Sequence, residues 1–451
     1  MNGGHLFQDS IFALSSGSLP SGVAVVRLSG PQARAAVEAV AGAVPHARRA
    51  ALMRLRDGAG DLIDQGLTLF FPGPASFSGE DCAEFHLHGG KAVVDALLRR
   101  LGELPGLRQA EAGEFTRRAF LNGKIDLTGA EGLADLIAAE TAAQHRLALD
   151  NAQGGQRELY TAWRGRLLHA RAMIEAELDF ADEADVPGSV SDLVLADLDR
   201  LGRDIDAHIG SYRAAEIVRD GFRVVLVGAP NAGKSSLINA LVRREVAIVT
   251  EIAGTTRDLI EASLDIDGMK IVVTDTAGIR STDDRIERIG VERAIAAASR
   301  ADLIVELIDT TQSGFAERTG PEEWPAPTLR VATKADLERL PEQLREQLDR
   351  GHFDHAISAV TGEGVAELIA AIADRARQAT ALGGRVAPTR LRQIELLRRA
   401  GAEIATALRL TELELRAEHL RLAGDALGRI TGAIDVEDIL GVIFSEFCIG
   451  K

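Results

Sequence analysis

The spacing of hydrophobic positions along this chain changes several times, and each change predicts a different kind of structure. Residues 1–122 contain short apolar runs, such as Val23–Ser29 and Leu67–Phe71, separated by Gly and Pro, which is typical of an α+β domain. From about Leu127, large apolar residues recur every three or four positions, which places them on one helix face and predicts bundle core. These residues are Tyr160, Trp163, Leu167, Ile174 and Leu178.

Strand-like and helix-like segments alternate between residues 216 and 378. The strand-like segments are Phe222–Val227, Lys270–Asp275, Leu303–Asp309 and Thr328–Thr333. Alternation of this kind predicts a parallel sheet covered by helices on both faces. The helical pattern then returns and continues almost to the end, with Ile404, Leu408 and Leu415 on one predicted face.

These changes predict a multidomain α/β protein in which a sheet domain interrupts a helical domain. The predicted boundaries are an α+β domain at 1–122, the first helical half at 123–215, the inserted domain at 216–378 and the second helical half at 379–451. A length of 451 residues agrees with several domains, since one domain usually spans ~100–200 residues.

The overall charge and the cysteine content limit the function further. The formal net charge is −16, from 51 Lys and Arg against 67 Asp and Glu, so the chain has no general attraction for nucleic acid or anionic lipid. Two cysteines, Cys82 and Cys448, do not make a disulfide framework. We expect a cytoplasmic protein with no membrane span, because no signal-peptide pattern or run of ~18–20 apolar residues is present.

The segment Gly228–Ser235, GAPNAGKS, matches the phosphate-binding pattern G-x-x-x-x-G-K-S between a predicted strand and a predicted helix. Its glycines allow backbone N–H groups to approach phosphates, Lys234 supplies a positive charge, and the Ser235 hydroxyl can hold Mg²⁺. The predicted nucleotide contacts in and beside this loop are Asn231, Ala232, Gly233, Lys234, Ser235 and Ser236. The inserted domain is therefore predicted to be a Ras-like P-loop GTPase domain.

Two further segments are predicted to surround the phosphates. DTAG ends a predicted strand and places Asp275 near Mg²⁺, while GTTRD offers Thr256 as a Mg²⁺ ligand that senses the γ-phosphate. The predicted contacts in these segments are Thr250, Glu251, Ile252, Ala253, Gly254, Thr255, Thr256, Asp275, Thr276, Ala277 and Gly278.

The guanine base is predicted to bind the segment TKAD, in which Asp336 accepts hydrogen bonds from N1–H and the amino group. Adenine does not match that arrangement. Most GTPases carry Asn at the position of Thr333, whereas Rho-type GTPases resemble this sequence in carrying Thr there. Lys334 follows it. Ser358 and Ala359 are predicted to form the last base-contacting loop.

Ras-like GTPases orient the attacking water with a Gln directly after DTAG. Ile279 stands at that position here and cannot orient a water molecule, so hydrolysis must be organised by other residues. Asn231 and the segment Thr250–Thr256 could coordinate a monovalent cation beside the phosphates. Glu287 is the candidate for positioning the water, although the residues alone favour a solvated helix charge at this position.

Three stretches, Phe77–Gly90, Ala110–Ile137 and the terminal FCIGK, together with the inserted GTPase domain, resemble the MnmE (TrmE) family of tRNA-modifying GTPases. The resemblance implies an N-terminal domain that dimerises and binds 5-formyl- or methylene-tetrahydrofolate, and GTPase domains that pair in a potassium-dependent way. It also implies a flavoprotein partner, MnmG (GidA). With this partner the family installs an aminomethyl or carboxymethylaminomethyl group on carbon 5 of wobble uridine in certain tRNAs.

The resemblance also assigns individual residues. Asn231, Thr250, Ile252 and Thr255 match the family's potassium ligands, and Glu287 matches its water-positioning acid. The positions that match its folate site are Arg27, Glu84, Lys124 and Lys451. A carboxylate can bind the amino-pyrimidine edge of a pterin through two hydrogen bonds, whereas without the family a surface ion pair would be preferred.

The last five residues leave two interpretations open for Cys448. CIGK superficially fits a lipidation pattern, but its terminal Lys451 and the lack of a polybasic segment disfavour prenylation. Ile430–Lys451 predicts an apolar segment that carries the tail into the fold. Cys448 then either takes part in the modification chemistry or is a packing residue of a C-terminal plug.

Two classes of function remain: a GTP-hydrolysing tRNA modification enzyme, which is preferred, and a regulatory GTPase switch, for example in ribosome assembly. Folate binding by residues 1–122 would discriminate between them. Because the net charge is −16, we expect MnmG to supply much of the tRNA affinity.

Overall fold

The computed structural model describes most of the chain, and its contacts divide the chain into two compact units. The described residues are 7–179, 190–244, 246–248, 260–275, 296–311, 324–336, 352–381 and 386–434, with Leu440, Ile443, Phe444, Phe447 and Gly450. Unit 1 comprises Met1–Ala134, Asn151–Ser191 and Arg409–Lys451, and unit 2 comprises Asp135–Asp150 and Asp192–Leu408. The domain boundaries drawn from the sequence stay predictions.

Unit 1 contains a mixed sheet of six strands among its described residues, in the order β3-β4-β5-β2-β1-β6. The strands are β1 (Ser10–Leu14), β2 (Ser21–Ser29), β3 (Ala51–Arg56), β4 (Leu62–Phe71), β5 (Cys82–Gly89) and β6 (Leu107–Gln109). Helices α1 (Ala33–Ala41) and α2 (Lys91–Gly102) share an apolar core with this sheet. In β2, Ala24, Val26 and Leu28 are buried in that core, so the alternation of side chains puts Arg27 on the opposite face.

Helices α3 (Glu114–Leu121), α4 (Leu127–Ala138), α6 (Gly155–Asp179) and α12 (Leu413–Thr431) complete the regular elements of unit 1. The predicted helix core in α6 is confirmed for Tyr160, Trp163, Leu167 and Ile174, which are buried, whereas Leu178 is half-buried. The ring centroids of Tyr160 and Trp163 lie 5.8 Å apart.

The predicted continuous apolar face through Leu415 is wrong. Ile404 is buried, but its helix α11 (Leu391–Arg409) ends before α12 begins at Leu413, and Leu415 is exposed. A helical spacing keeps residues on one face only while the helix is unbroken.

A fully buried arginine organises the end of the N-terminal sheet. The Arg118 guanidinium donates to Asp9 Oδ1 at 2.9 Å, to Glu114 Oε1 at 3.1 Å and to Glu80 Oε1 at 3.3 Å. Arg108 donates to the same Glu114 oxygen at 2.6 Å. Burial alone would raise the pKa of Glu114, but hydrogen bonds from Arg108, the Glu111 backbone N–H and Arg118 hold it below the usual value.

The described part of the C-terminal segment lies against this domain. Gly450 has φ +98°, and a Cβ there would meet the Leu14 carbonyl oxygen at 2.0 Å, so a side chain does not fit. Ser15 Oγ donates to the Gly450 carbonyl oxygen at 2.7 Å. Phe444 and Phe447 pack in a cluster with Leu127, Ala130 and Leu440.

Unit 2 contains a sheet of seven strands among its described residues, in the order β13-β12-β11-β7-β10-β9-β8. The strands are β7 (Phe222–Val227), β8 (Val246–Ile248), β9 (Ile260–Ile266), β10 (Met269–Asp275), β11 (Leu303–Asp309), β12 (Thr328–Thr333) and β13 (His355–Ala356). Its helices are α5 (Ala142–Ala152), α7 (Val190–Gly210), α8 (Tyr212–Asp220), α9 (Lys234–Arg244), α10 (Val365–Ala379) and α11 (Leu391–Arg409).

The four strands predicted for the inserted domain are present, and β7, β10, β11 and β12 run parallel to one another. The sequence did not predict β8, β9 or β13. Strand β9 pairs antiparallel with β10, β8 pairs antiparallel with β9, and β13 pairs parallel with β12. Asp267 and Gly268 have φ of +52° and +77°, the conformation of a tight hairpin turn, and they join β9 to β10. The predicted multidomain α/β class is confirmed. In the described part of the chain, no helix is long and apolar enough to cross a membrane.

Candidate nucleotide-binding site

The predicted phosphate loop lies between the end of β7 and the start of α9. Gly228 has φ +145°, and a Cβ there would lie 2.3 Å from the Leu307 carbonyl oxygen, so glycine is required. Asn231 has φ +64°, a left-handed conformation that Asn adopts more readily than most residues. The loop can therefore turn sharply from the sheet edge into the helix.

Lys234 reaches back over this loop. Its side chain is buried, and Nζ donates to the carbonyl oxygens of Gly228 at 2.7 Å and Ala229 at 2.9 Å. Burial lowers the pKa of Lys234 below its usual value, against the opposing field of Asp275. The ammonium has three N–H donors, so it can hold the loop and still donate to a phosphate oxygen.

Ser235 and Asp275, both predicted beside the metal ion, are brought together. Ser235 Oγ donates to Asp275 Oδ2 at 2.7 Å, and Asp275 is fully buried. The sheet causes this proximity, because Asp275 at the end of β10 pairs with Leu226 near the end of β7. Hydroxyl and carboxylate oxygens are the ligands that Mg²⁺ prefers, so the donor set fits this ion.

The predicted base-binding segment follows β12. Lys334 has φ +61°, and its Nζ lies 2.7 Å from Asp309 Oδ2 at the end of β11. Burial would raise the pKa of Asp309, but hydrogen bonds from Lys334 and Thr311 hold it below the usual value. Thr333 is buried and bonded within the protein, while Asp336 is half-buried.

Backbone contacts join this segment to the last predicted loop. The Ala335 N–H donates to the Ile357 carbonyl oxygen at 3.2 Å. Ser358 is fully buried, and its Oγ accepts the N–H groups of Val360 at 3.3 Å and Thr361 at 3.1 Å. Ser358 therefore shapes the loop, and the neighbouring Ala359 is half-buried.

Asp309 is a functional candidate that the sequence reasoning missed. Its signal was present, because it is the last residue of a buried strand and lies on the same sheet edge as Asp275 and Thr333. Several predicted residues lie outside the described part of the chain. They are Thr250, Glu251, Ile252, Ala253, Gly254, Thr255, Thr256, Thr276, Ala277, Gly278, Ile279, Glu287, Cys448 and Lys451.

A second candidate site lies on the N-terminal sheet. Arg27 and Glu84 are register partners on β2 and β5, and the guanidinium donates to Glu84 Oε1 at 3.0 and 3.2 Å. His86 Nε2 lies 3.3 Å from the other oxygen, Glu84 Oε2. The Arg27 guanidinium carbon is 5.6 Å from the ring centroid of Phe77. The sequence reasoning gave no role in this site to His86 or Phe77.

The structure does not bring all the predicted folate residues together. Lys124 is exposed, and its Nζ donates to the Pro74 carbonyl oxygen at 2.9 Å. Among the described residues, Arg27 and Glu84 therefore contact each other, whereas Lys124 contacts Pro74 and neither of them. Lys451 is outside the described range.

Comparison with known proteins matches nearly the whole chain to one family. Residues 10–124 match the model for the GTP-binding protein TrmE N-terminus, and residues 127–448 match the MnmE helical domain. The tRNA modification GTPase MnmE of Mesorhizobium japonicum is 57% identical over 445 residues, covering 98% of this chain and 99% of that protein. The chain belongs to the MnmE family. The tRNA modification GTPase MnmE of Brucella anthropi is also 57% identical, over 446 residues and 98% of each chain.

Membership of the MnmE family confirms the predicted resemblance and the predicted enzyme class, GTP hydrolase. Among solved structures, the G domain of the T. maritima FeoB iron transporter matches 34% of this chain and 98% of that chain. Its sequence identity is 24% and its TM-score is 0.24, which is too low to support an argument about fold.

Proposed function

We propose that this GTPase modifies tRNA at carbon 5 of wobble uridine. With the flavoprotein MnmG it installs an aminomethyl or carboxymethylaminomethyl group, using the one-carbon unit of 5-formyl- or methylene-tetrahydrofolate. The observation that carries the proposal is the identity of 57% to a tRNA modification GTPase over both the sheet domain and its flanks. A switch GTPase of another kind would share the nucleotide site but would not need residues 1–122.

The nucleotide site supports GTP binding through residues with separate tasks. Lys234 donates to the phosphates, the carbonyl-rich loop holds its ammonium, and Asp336 accepts hydrogen bonds from guanine. Ser235 would hold Mg²⁺ together with Thr256, while the buried Asp275 orients the Ser235 hydroxyl at 2.7 Å. When bound, Mg²⁺ neutralises charge on the phosphate oxygens.

The proposed catalytic step depends on potassium. Asn231, Thr250, Ile252 and Thr255 are proposed ligands of K⁺, whose charge would replace that of an arginine finger, and Glu287 would position the attacking water. The left-handed backbone of Asn231, at φ +64°, supports a specific role for this residue within the loop. Pairing of two GTPase domains across a homodimer would enclose the ion.

We expect GTP hydrolysis to be at least roughly tenfold faster in KCl than in NaCl, because an arginine finger that supplies the same charge is worth 10³–10⁵. In Asn231→Ala this difference should largely disappear. Asn239→Ala, an exposed asparagine on α9, is the matched control and should keep it. Steady-state phosphate release measures all three, and equal rates of the wild type in both salts would rule out the cation site.

The N-terminal pair supports the proposed folate site. Glu84 has two carboxylate oxygens with about four lone-pair positions, of which Arg27 and His86 use only part. The remaining positions suit the amino-pyrimidine edge of a pterin, and the partly exposed Phe77 offers an aromatic face beside Arg27. Lys124 and Lys451 would bind the acidic tail of the folate.

The C-terminal tail is proposed to serve the same site. The hydrogen bond from Ser15 to Gly450 supports a tail held on the N-terminal domain, two residues beyond Cys448. Cys448 would then act as a thiol in the modification chemistry, with the packing role as the alternative. The proposal is tested by whether the modified wobble uridine depends on this protein and on these residues.

A further inference from the structure

The hydroxyl of Thr333 donates its hydrogen bond within the protein. Thr333 is 4% exposed, and its Oγ1 lies 2.8 Å from the Ala232 carbonyl oxygen and 3.2 Å from the Ile308 carbonyl oxygen. A threonine hydroxyl carries one hydrogen, so these two backbone acceptors share the only donor that the side chain has.

The first of these acceptors lies in the phosphate loop, between Asn231 and Gly233, whereas Thr333 begins the base-binding segment TKAD. The hydroxyl therefore ties one nucleotide-binding segment to the other at a buried position. The second acceptor, in β11, fixes the same hydroxyl to the strand next to β12. A shift of the base-binding segment would consequently disturb the phosphate loop.

Guanine presents N7 and O6 as acceptors on one edge and its N1–H and amino donors on another. A hydroxyl whose hydrogen is bonded to protein carbonyls has no hydrogen for N7 or O6. The Lys334 ammonium has three N–H donors and directs one of them to Asp309, with Nζ 2.7 Å from Oδ2. In contrast, Asp336 is an acceptor, which matches the N1–H and amino edge.

We infer that Thr333 is a positioning residue that ties the base-binding segment to the phosphate loop, and that this protein recognises guanine without a hydrogen bond to N7. The inference rests on the proposed function, since it takes the site to bind GTP through Asp336. Guanine specificity then depends on the N1–H and amino edge that faces Asp336, and not on N7.

Base analogues test this inference on the full wild-type chain. Affinities of the nucleotide-free protein are measured for GDP, for 7-deaza-GDP, in which a C–H replaces N7, and for IDP, which lacks the amino group. We expect 7-deaza-GDP to bind within about twofold of GDP, because no bond is lost. IDP should bind at least roughly tenfold more weakly, because a hydrogen bond to the charged Asp336 is lost.

Variants at Thr333 separate positioning from base reading. Thr333→Val should lower the affinities for GDP and for 7-deaza-GDP by the same factor, about fivefold, since one hydrogen bond to the phosphate loop is lost. Thr333→Ser restores the hydroxyl and should bind both nucleotides within about twofold of the wild type. Thr328→Val is the matched control on β12, because its hydroxyl donates to Ala326 at 3.1 Å and not to the phosphate loop.

Two results would overturn the inference while the proposed GTP site stands. The first is that the wild type binds 7-deaza-GDP about fivefold or more weakly than GDP. The second is that Thr333→Val lowers the affinity for GDP but not the affinity for 7-deaza-GDP. The first result would show that N7 accepts a hydrogen bond, and the second would show that the Thr333 hydroxyl donates it. If GDP and IDP instead bind equally well to the wild type, guanine recognition by Asp336 fails, and the proposed nucleotide site fails with it.

Discussion

Replacing Lys234 by alanine is expected to lower kcat for GTP hydrolysis by roughly 10²–10³-fold, the usual cost of removing one positioned donor from a site where charge develops. The Lys234 ammonium is buried and held by the carbonyl oxygens of Gly228 and Ala229. Its loss removes the positive charge at the phosphates and leaves two loop carbonyls without their donor.

Single-turnover and steady-state GTP hydrolysis measure this effect. Lys91→Ala, at an exposed lysine that begins α2, is the matched control and should hydrolyse GTP at the wild-type rate. Thermal unfolding followed by circular dichroism shows whether each variant is folded. A folded Lys234→Ala protein with a rate within about twofold of the wild type would exclude this loop as the hydrolytic site.

The largest expected effect on stability is that of Arg118→Met, which should lower the free energy of local unfolding in the N-terminal domain by about 3–5 kcal/mol. Arg118 is fully buried, and its partner residues Glu80 and Glu114 are 4% and 7% exposed. Without the guanidinium these carboxylates stay buried but lose the hydrogen bonds and the positive charge that offset their desolvation. The free-energy cost of this loss exceeds the hydrophobic gain from methionine.

Hydrogen exchange measured on peptides from β1 and α3 reports this local free energy, which a single unfolding midpoint of a multidomain chain does not. Arg117→Met changes the exposed neighbour on the same helix and should leave the exchange rates nearly unchanged. If both variants exchange at the same rate, the Arg118 hydrogen bonds do not contribute to the free energy of local unfolding, and the prediction is wrong.

Sequence alone predicted the parts of the fold that have a local pattern. The strands β7, β11 and β12 have the predicted bounds, because continuous apolar runs are typical of strands buried on both faces. The loop from Gly228 to Ser235 could be recognised for a similar reason, since glycine positions and the spacing of Lys and Ser carry the phosphate-binding geometry.

Contacts between distant segments had no local pattern and could not be predicted. Arg118 is bonded to Asp9 and Glu80, which are 109 and 38 residues away in the sequence. The Thr333 hydroxyl meets Ala232 across 101 residues. Periodicity shows which side of an element is buried, but not which distant polar group completes its hydrogen bonds.

The central claim is that this GTPase modifies wobble uridine by using its N-terminal folate site. The most direct measurement is mass spectrometry of wobble nucleosides in tRNA from cells that lack the protein, complemented with the wild type or with variants. Wild type and the exposed-site control Glu103→Gln should restore the modified uridine. Glu84→Gln should not, although its GTPase activity survives. Cys448→Ser should behave like Glu84→Gln if the thiol serves the chemistry, and like the wild type if it only packs. Full modification in cells that lack the protein would contradict the account.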